Sequence, residues 1–326
     1  MKVQLCEVLG APDVLRWTDI DDPVVGPGDV LVEVHAAGVN FPDGLIVSGN
    51  YQTAPELPFV PGSEAAGVVR AVGVDVTGIT VGDRVLAFCG MGGYAELVSV
   101  PESMVFPVPE SMSFVDAAGF AVTYGTSYHG LVDRGALAAG ETLLVLGASG
   151  GVGLTAVEIG KVLGARVIAA ASSPDKLALC REHGADEVID YTADDLRARL
   201  KAVAPDGVNV VYDPVGGEHA QTAVRALSWG GRYLTVGYAS GDIPKVGLNR
   251  LLVTEGSVHG VLWGAWARRN PDRNADNMRN LFDWYDRGAL RPHVDGTYPL
   301  ADAPTALGVV MGRRARGKVV LTSGRN

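Results

Sequence analysis

The chain has 326 residues, of which 47% are hydrophobic and 20% are charged, so it is long enough for two globular domains with full cores. Its formal net charge of −10 repels nucleic acid backbones and anionic membranes, which makes both poor partners. Three widely spaced cysteines, Cys6, Cys89 and Cys180, give neither a disulfide framework nor a Cys-x-x-Cys zinc pattern. Without a signal-like N-terminus or an uncharged apolar stretch of about 20 residues, we expect a cytoplasmic protein that does not span a membrane.

The first part of the chain, to about residue 121, predicts short strands joined by turns. Val30–Val34 and Ala65–Val69 are apolar runs that contain β-branched residues, as strands do. Gly26-Pro27-Gly28-Asp29 and Val81-Gly82-Asp83 have the composition of turns. Helical periodicity is scarce here, and the pattern therefore indicates a compact, mostly β domain.

From Gly140 onward, strands and helices alternate. The predicted strands are Thr142–Gly147, Arg166–Ala171, Glu187–Asp190, Val208–Tyr212 and Arg232–Val236. The predicted helices are Gly151–Leu163, one that Ser173-Pro174-Asp175 begins, Ala193–Val203 and Glu218–Leu227. This alternation predicts an α/β fold with a doubly wound parallel sheet and helices on both faces. A strand at Ser257–Leu262, a polar helix over Asp272–Asp286 and a final strand at Gly317–Leu321 follow, and we expect this tail to pack on the first domain.

The strongest chemical signal is the run Gly147-Ala148-Ser149-Gly150-Gly151-Val152-Gly153. It follows a predicted strand and begins a predicted helix, which is the setting of a dinucleotide-binding turn. A pyrophosphate needs backbone N–H groups at a helix N-terminus and no side chain in the way, and the last three glycines provide that space. Ala148 stands where the usual Gly-x-Gly-x-x-Gly pattern has its first glycine. We predict that Ala148, Ser149, Gly150, Gly151 and Val152 bind the pyrophosphate.

The end of the next strand predicts which nicotinamide cofactor binds. Sites for NAD usually have Asp or Glu there to hold the ribose 2′-hydroxyl, whereas this strand ends in Ala171-Ser172-Ser173 without a carboxylate. Ser172 and Lys176 can instead bind a 2′-phosphate, and such a charge-assisted hydrogen bond contributes about 1.5–3 kcal/mol. We therefore predict NADPH as the cofactor. The alternative for Lys176 is a solvated lysine on the helix surface.

Further motifs occur along nearly the whole chain: Asn40-Phe41-Pro42-Asp43, Pro61-Gly62-Ser63-Glu64, Val81-Gly82-Asp83-Arg84-Val85, Gly93-Tyr94-Ala95-Glu96, Gly184-Ala185-Asp186, Val211-Tyr212-Asp213 and Gly317-Lys318-Val319-Val320-Leu321. Together with the run Gly147–Gly153, called the glycine turn below, these motifs resemble the zinc-free quinone oxidoreductase branch of the medium-chain dehydrogenases/reductases, which includes zeta-crystallin. The resemblance implies a mostly β, GroES-like catalytic domain over residues 1–121 and 264–326, a Rossmann domain over 122–263, and an active site in the cleft between them. It also implies a homodimer that pairs through the last Rossmann strand, near Ser257–Leu262.

The resemblance raises the question of whether this chain has the zinc ligands that some members of the superfamily have. Zinc alcohol dehydrogenases of this superfamily have a Cys after the first barrel strands, a Gly-His-Glu and a four-cysteine lobe. Here Asn40 and Gly62-Ser63-Glu64 stand in the first two regions and the lobe is missing, so we predict a zinc-independent enzyme. Without a Lewis acid, the alkoxide formed from a simple ketone is poorly stabilised, whereas a quinone or an α,β-unsaturated carbonyl compound gives a delocalised anion.

We therefore expect an oxidoreductase that transfers hydride from NADPH to a small-molecule quinone or enone. Two alternatives stay open. One is a reductase of 2-enoyl thioesters, and the other is a non-catalytic NADPH-binding protein.

The resemblance also implies roles at the substrate end of the site. Asn40 would donate to the substrate carbonyl or contact the nicotinamide ribose, with a plain turn residue as the alternative. Asp43 is a catalytic candidate, although a structural cap fits it better. Thr126, in the segment Thr123–Thr126 that we expect to begin a helix, would lie beside the nicotinamide or cap that helix. Many relatives have a Tyr two residues after the Asp that corresponds to Asp43. Here Leu45 stands at that position, so solvent water is the expected proton source.

Four residues are expected to contact the remainder of the cofactor. Tyr191, after the third Rossmann strand, would lie over the adenine side, with a surface tyrosine as the alternative. Gly237 and Tyr238 end the fifth Rossmann strand, at the carboxyl edge where such sheets bind their cofactor. Arg313 would reach the 2′-phosphate from the tail, with a solvated basic run as the alternative.

Overall fold

The computed structural model describes residues 1–52 and 55–324, and the chain divides into two compact units. The first unit comprises Met1–Val122, Gly264–Asp286 and Pro292–Asn326, and the second comprises Thr123–Trp263 and Arg287–Arg291. The return of Arg287–Arg291 to the second unit was not part of the expected division. A hydrogen bond from the Arg291 backbone N–H to Glu158 Oε1 (3.1 Å) helps to hold this segment there.

The described ranges contain these strands: β1 (Lys2–Leu5), β2 (Arg16–Asp19), β3 (Asp29–Val39), β4 (Glu64–Val72), β5 (Arg84–Ala87), β6 (Leu97–Pro101), β7 (Val105–Pro107), β8 (Thr142–Leu146), β9 (Arg166–Ala171), β10 (Glu187–Asp190), β11 (Val208–Asp213), β12 (Leu227–Thr235), β13 (Ser257–Gly260), β14 (Val294–Pro299) and β15 (Lys318–Thr322). They contain these α-helices: α1 (Phe41–Val47), α2 (Phe114–Ala118), α3 (Ala121–Tyr128), α4 (Gly151–Val162), α5 (Pro174–Glu182), α6 (Leu196–Val203), α7 (Glu218–Arg225), α8 (Asn249–Thr254), α9 (Trp263–Arg269), α10 (Pro271–Asp286) and α11 (Ala303–Met311). None of these helices is both long enough and apolar enough to cross a bilayer.

The second unit is built on a parallel sheet with strand order β10-β9-β8-β11-β12-β13. Numbered along this unit, that order is 3-2-1-4-5-6, the doubly wound Rossmann arrangement, and it confirms the predicted fold class. The strands read as continuous apolar runs because helices cover both faces, and Leu143–Leu146 are fully buried. In such a sheet the carboxyl ends of the strands share one edge, and this edge positions the cofactor residues.

The first unit is mostly β, as predicted. Its main sheet has the order β14-β15-β3-β4-β5-β7, with β6 also paired to β3. The long β3 is its centre, since β3 pairs with β4 and β6 and, over its last four residues, with the C-terminal β15. This pairing brings residue 318 of the tail close to residue 40, which follows the end of β3.

Several helices were not predicted. The short α1, α2, α8 and α9 have too few turns for a clear helical period, and α11 is apolar around most of its surface. α3 begins at Ala121, before Thr123, so the predicted helix start at Thr123 was wrong. A π-helical segment, His129–Arg134, continues directly from α3. β12 starts at Leu227, five residues before the predicted start at Arg232.

Candidate active site

The turn between β8 and α4 has the close backbone approach that the glycines predicted. Gly150 is the N-cap of α4, and Gly147 has φ +57°, a conformation that favours glycine. A Cβ on Gly153 would lie 2.3 Å from the carbonyl oxygen of Gly147, so no side chain fits there. A Cβ on Gly150 would instead meet that oxygen at 3.4 Å, an ordinary contact, and this side of the turn is open.

The same turn accommodates alanine at the first-glycine position. Ala148 is fully buried, and its N–H donates to the Ala170 carbonyl of β9 (3.0 Å). Ser149 is 5% exposed, and Gly151 and Val152 form the first turn of α4. N–H groups in the first turn of a helix have no acceptor within the helix and lie at its positive end. The turn therefore provides the donors that an anionic pyrophosphate needs.

The end of β9 brings Ser172 and Lys176 together. The Ser173 side chain caps α5 by accepting the Lys176 backbone N–H (3.5 Å), which places Lys176 in the first turn of the helix. Lys176 Nζ donates to Ser172 Oγ (3.3 Å).

Asp190 is the last residue of β10 and pairs with Ala171 of β9. Its carboxylate accepts hydrogen bonds from the Thr192 backbone N–H (2.9 Å) and hydroxyl (2.6 Å). These hydrogen bonds lower the pKa of Asp190 and hold its carboxylate in the turn that leads to Thr192.

Two tyrosines lie at the same carboxyl edge. Tyr191 follows β10, is half-buried, and packs on the His219 ring with centroids 4.5 Å apart. Tyr238 follows Gly237 after β12, and its hydroxyl accepts a hydrogen bond from Thr235 (3.2 Å). A Cβ on Gly216 would lie 2.9 Å from the Tyr238 ring, so Tyr238 packs tightly on the loop after β11. The structure thus brings the glycine turn, Ser172, Lys176, Tyr191, Gly237 and Tyr238 to one edge of the second unit.

Asp213 organises the loop after β11, a role that sequence reasoning missed. Its Oδ1 accepts the backbone N–H groups of Val215 (2.7 Å) and Gly216 (2.9 Å), and its Oδ2 accepts the Tyr233 hydroxyl. Burial, followed by the neighbouring Asp213 charge, raises the pKa of Tyr233. The signal was available in Val211-Tyr212-Asp213, since an Asp directly after a buried strand is a good turn former.

Thr126 lies inside α3 and is half-buried, so the alternative of a helix-capping hydroxyl was wrong. The next residue, Ser127, is fully buried and joins a hydroxyl cluster with Thr155 (2.8 Å) and Tyr212 (2.9 Å). This cluster fixes the packing of α3 against α4 and β11. It therefore holds the helix that carries Thr126 in a defined position within the second unit.

In the first unit, Asn40 is part of a buried polar cluster at the end of β3. Its Nδ2 donates to Glu64 Oε1 (3.0 Å) and, at 3.4 Å, to the Gly38 carbonyl. Lys318 Nζ donates to Asn40 Oδ1 (2.6 Å) and to Glu64 Oε1 (2.6 Å). Glu64 Oε2 accepts the Val122 backbone N–H (2.8 Å). The structure makes Asn40 a residue of a hydrogen-bond network and not of a plain turn.

Asp43 caps α1 with the Asn40 backbone N–H donating to Oδ2 (2.9 Å), in a capping box between these two residues. Oδ2 also accepts the Tyr94 hydroxyl (2.8 Å), and Oδ1 accepts the Ser63 hydroxyl. Burial raises the pKa of Asp43, against the hydrogen bonds that lower it. Burial and the nearby Asp43 charge raise the pKa of Tyr94, which stays a proton donor. Both carboxylate oxygens of Asp43 are thus engaged within the protein, which favours its structural role over a catalytic one.

Sequence reasoning missed Lys318, Glu64 and Tyr94 as members of this cluster. Lys318 is separated from Asn40 by 278 residues, so no local pattern connects them. One signal was present: Lys318 begins the buried strand β15, where an unpaired ammonium is too costly to bury. A partner carboxylate was therefore required, and Glu64 at the start of buried β4 is that partner.

Arg313 follows α11 and Gly312, is exposed, and has φ +56°. Its backbone N–H donates to the Val310 carbonyl (3.0 Å), which terminates the helix. Nearby, Arg316 pairs with Asp295 (3.1 Å) within the first unit. Arg313 thus lies in an exposed helix-ending turn, and its contact with a 2′-phosphate stays a prediction.

Comparison with known proteins places this geometry among dehydrogenases. Residues 26–110 match the alcohol dehydrogenase GroES-like domain, and residues 183–321 match the family described as zinc-binding dehydrogenase. The chain is 37% identical to the quinone oxidoreductase-like protein 2 homolog of Nematostella vectensis, over 98% of this chain and 88% of that protein.

Two solved structures are similar over nearly their whole length. A mycobacterial protein solved in complex with NADPH superposes with a TM-score of 0.93 at 35% identity, covering 99% of both chains. The quinone oxidoreductase of Escherichia coli, also complexed with NADPH, gives a TM-score of 0.92 at 29% identity, covering 99% of this chain and 100% of that one.

Proposed function

The chain belongs to the quinone oxidoreductase family of the medium-chain dehydrogenases/reductases, and we propose that it transfers hydride from NADPH to a quinone or an α,β-unsaturated carbonyl compound without a metal ion. The observation that carries the proposal is the Ser172–Lys176 pair at a strand end without a carboxylate, beside the glycine turn. The NADPH complexes of two similar proteins support the same choice of cofactor.

The residues present fit NADPH. The open side of the turn at Gly150 and the first N–H groups of α4 would bind the pyrophosphate. Lys176 and Ser172 would bind the 2′-phosphate, and Tyr191 would flank the adenine. When bound, NADPH supplies the hydride. The protein binds and orients NADPH and the acceptor, while the conjugated acceptor delocalises the negative charge that hydride addition creates.

Two observations support zinc independence. Asn40 and Ser63 offer an amide and a hydroxyl, whereas Zn²⁺ in proteins is bound by thiolate, imidazole or carboxylate groups. Glu64 is already paired with the Lys318 ammonium at 2.6 Å, and a dication beside that ammonium would be repelled. Within the described ranges, no three His, Cys, Asp or Glu side chains form a set that could hold a metal. A zinc ion therefore does not fit this cluster.

We also propose a homodimer through the edge of β13. This strand pairs with β12 on one side and is the last strand of its sheet among the described residues. An unprotected strand edge is a template for pairing with another chain. Val258 on β13 is 45% exposed, and Leu262 just beyond it is 55% exposed. Antiparallel pairing of two such edges around a two-fold axis would cover both side chains.

An acceptor panel tests the function. Oxidation of NADPH is followed by its absorbance with 1,4-benzoquinone, an alkyl vinyl ketone, a 2-enoyl-coenzyme A and a simple ketone, before and after treatment with a zinc chelator. We expect turnover of the quinone and the enone at rates that chelation leaves unchanged. Preference for the thioester would favour the enoyl reductase, and NADPH binding without any turnover would favour a non-catalytic role. Chelator inactivation that zinc reverses would refute zinc independence.

A further inference from the structure

A cleft of about 310 Å³ lies in the second unit, between the second half of α7 and the segment that leads into α8. This volume is at the lower end of the range for small-molecule sites. The residues that line it include two arginines, two side-chain amides and two valines: Gln221, Val224, Arg225, Val246, Asn249 and Arg250. None of the lining residues carries a carboxylate, so the cleft is cationic in a protein whose formal net charge is −10.

The walls of the cleft are held in place by packing and by a hydrogen bond. Val224 is 2% exposed within the core of the second unit, and Val246 packs against the same core. Gln221 Nε2 donates to the Lys245 carbonyl (3.1 Å), which joins α7 to the segment before α8. Because the arginines are exposed and the valines are not, the cleft has an apolar floor and a charged rim.

The charges of Arg225 and Arg250 are not neutralised by any side chain in the part of the chain that the structure describes. Arg225 is in the last turn of α7, where a cation is favourable at the negative end of the helix dipole. Arg250 is in the first turn of α8, where a cation is unfavourable, so helix stability does not account for it. Two like charges on one cleft also repel each other, and an anion between them would remove this cost.

The cleft is separate from the carboxyl edge of the sheet, where the expected cofactor residues lie. α7 begins at Glu218, after the loop that follows β11 at that edge, and Arg225 ends the helix about 10 Å farther along its axis. His219 packs on Tyr191, whereas Gln221, two positions later, lies on the opposite side of the helix. A ligand in the cleft would therefore leave the proposed nucleotide site open.

We propose that this cleft is a second anion site, which binds a small phosphate monoester. Each planar guanidinium can donate two parallel hydrogen bonds to a phosphate, and the Asn249 amide can donate another. A phosphate has enough oxygens for the guanidinium groups of both Arg225 and Arg250, whereas the two oxygens of a carboxylate match only one. The valine floor fits an apolar group attached to the phosphate. The inference is independent of the proposed function, because it involves neither NADPH nor the hydride acceptor.

The test follows the two guanidinium groups by NMR in wild-type protein labelled with ¹⁵N-arginine. Their Nε–H signals are assigned by their disappearance in Arg225→Met and in Arg250→Met. We expect both signals to shift with one common dissociation constant during titration with phenyl phosphate. For inorganic phosphate the constant should be at least about fourfold higher, because the apolar floor is not covered. The signal of Arg197, an exposed arginine on α6, should not shift.

Three results of this titration would overturn the proposal. The first is that neither signal shifts. The second is that Arg197 shifts as much as Arg225 and Arg250, which would indicate nonspecific screening of charge. The third is that inorganic phosphate binds as tightly as phenyl phosphate, which would exclude a monoester as the preferred ligand.

A double variant, Arg225→Met/Arg250→Met, tests the same site by affinity. Titrations with phenyl phosphate are done with NADPH present at saturation, so that the probe does not occupy the proposed nucleotide site. We expect binding at least about tenfold weaker than in wild type, because charge-assisted hydrogen bonds are lost. The control Arg197→Met/Lys201→Met removes two exposed charges from α6 and should bind phenyl phosphate as wild type does.

Unchanged phenyl phosphate affinity in the first double variant, or an equal loss in the control, would contradict the assignment of the cleft. NADPH affinity should be the same in wild type and both double variants, and its loss together with phenyl phosphate binding would place Arg225 and Arg250 in the nucleotide site instead. If the wild-type protein bound no NADPH, the proposed function would fail, whereas the arginine signals would still report on the cleft.

Discussion

Replacing Lys176 with alanine removes the ammonium that lies beside Ser172 at the end of β9. Lys176 Nζ lies 3.3 Å from Ser172 Oγ, and the Ser173 cap holds the first turn of α5 in place independently of the lysine side chain. The fold should therefore survive, with an unchanged melting temperature. The variant isolates recognition of the 2′-phosphate.

The magnitude follows from the interaction that is lost. A charge-assisted hydrogen bond contributes about 1.5–3 kcal/mol, which corresponds to a change of roughly ten- to a hundredfold in affinity. Because Lys176 is only half-buried, solvent screening favours the lower end, near tenfold. Affinity for NADH, which lacks the phosphate, should change little.

Isothermal titration of both reduced nucleotides gives the two dissociation constants, and steady-state kinetics with a quinone gives the two values of kcat/KM. Lys201→Ala is the control, because Lys201 is an exposed lysine on α6 and its loss changes the net charge equally. An equal effect of Lys176→Ala on NADPH and NADH would refute the reasoning. An equal effect of Lys201→Ala on NADPH would assign the change to bulk electrostatics.

Three other changes test separate parts of the account. Gly153→Ala should lower the free energy of unfolding by roughly 1–3 kcal/mol through overpacking, whereas Gly150→Ala should keep stability and lose NADPH affinity; denaturant titration with equal results for both would contradict this. Val258→Lys should convert the dimer to monomers in sedimentation experiments, because a charge on the β13 edge opposes pairing, and an unaltered dimer would rule out this interface. Burial raises the pKa of Cys89 to about 12, so at pH 8 only about one in ten thousand of these thiols is ionised. Alkylation of Cys89 by iodoacetamide should accordingly be far slower than that of a free thiol, and fast alkylation would refute the raised pKa.

The parts of the fold that sequence reasoning predicted are those with local, repeated signals. β9 and β10 were predicted residue for residue, since apolar runs of this length between helices read clearly as buried parallel strands. By contrast, α8 is six residues long and exposes Leu252, which breaks the expected burial pattern. The start of β12 was missed because Trp229-Gly230-Gly231 looks like a turn, although the strand runs through it.

In the candidate site, too, residues in local motifs could be predicted from the sequence, whereas residues joined by long-range strand pairing could not. The glycine turn and Ser172 with Lys176 are local motifs, and their contacts follow from the strand-to-helix geometry around them. The cluster of Asn40, Glu64 and Lys318 depends on the antiparallel pairing of β15 with β3, which joins positions far apart in the chain. The pairing of β15 with β3 could not be predicted from the local sequence pattern.

The central claim is that the glycine turn and the carboxylate-free end of β9 bind NADPH in preference to NADH. Isothermal titration of the wild-type protein with each reduced nucleotide tests it most directly. The account predicts saturable binding of NADPH at one site per chain, with NADH at least about tenfold weaker. Binding of neither nucleotide by correctly folded protein, or tighter binding of NADH, would contradict it.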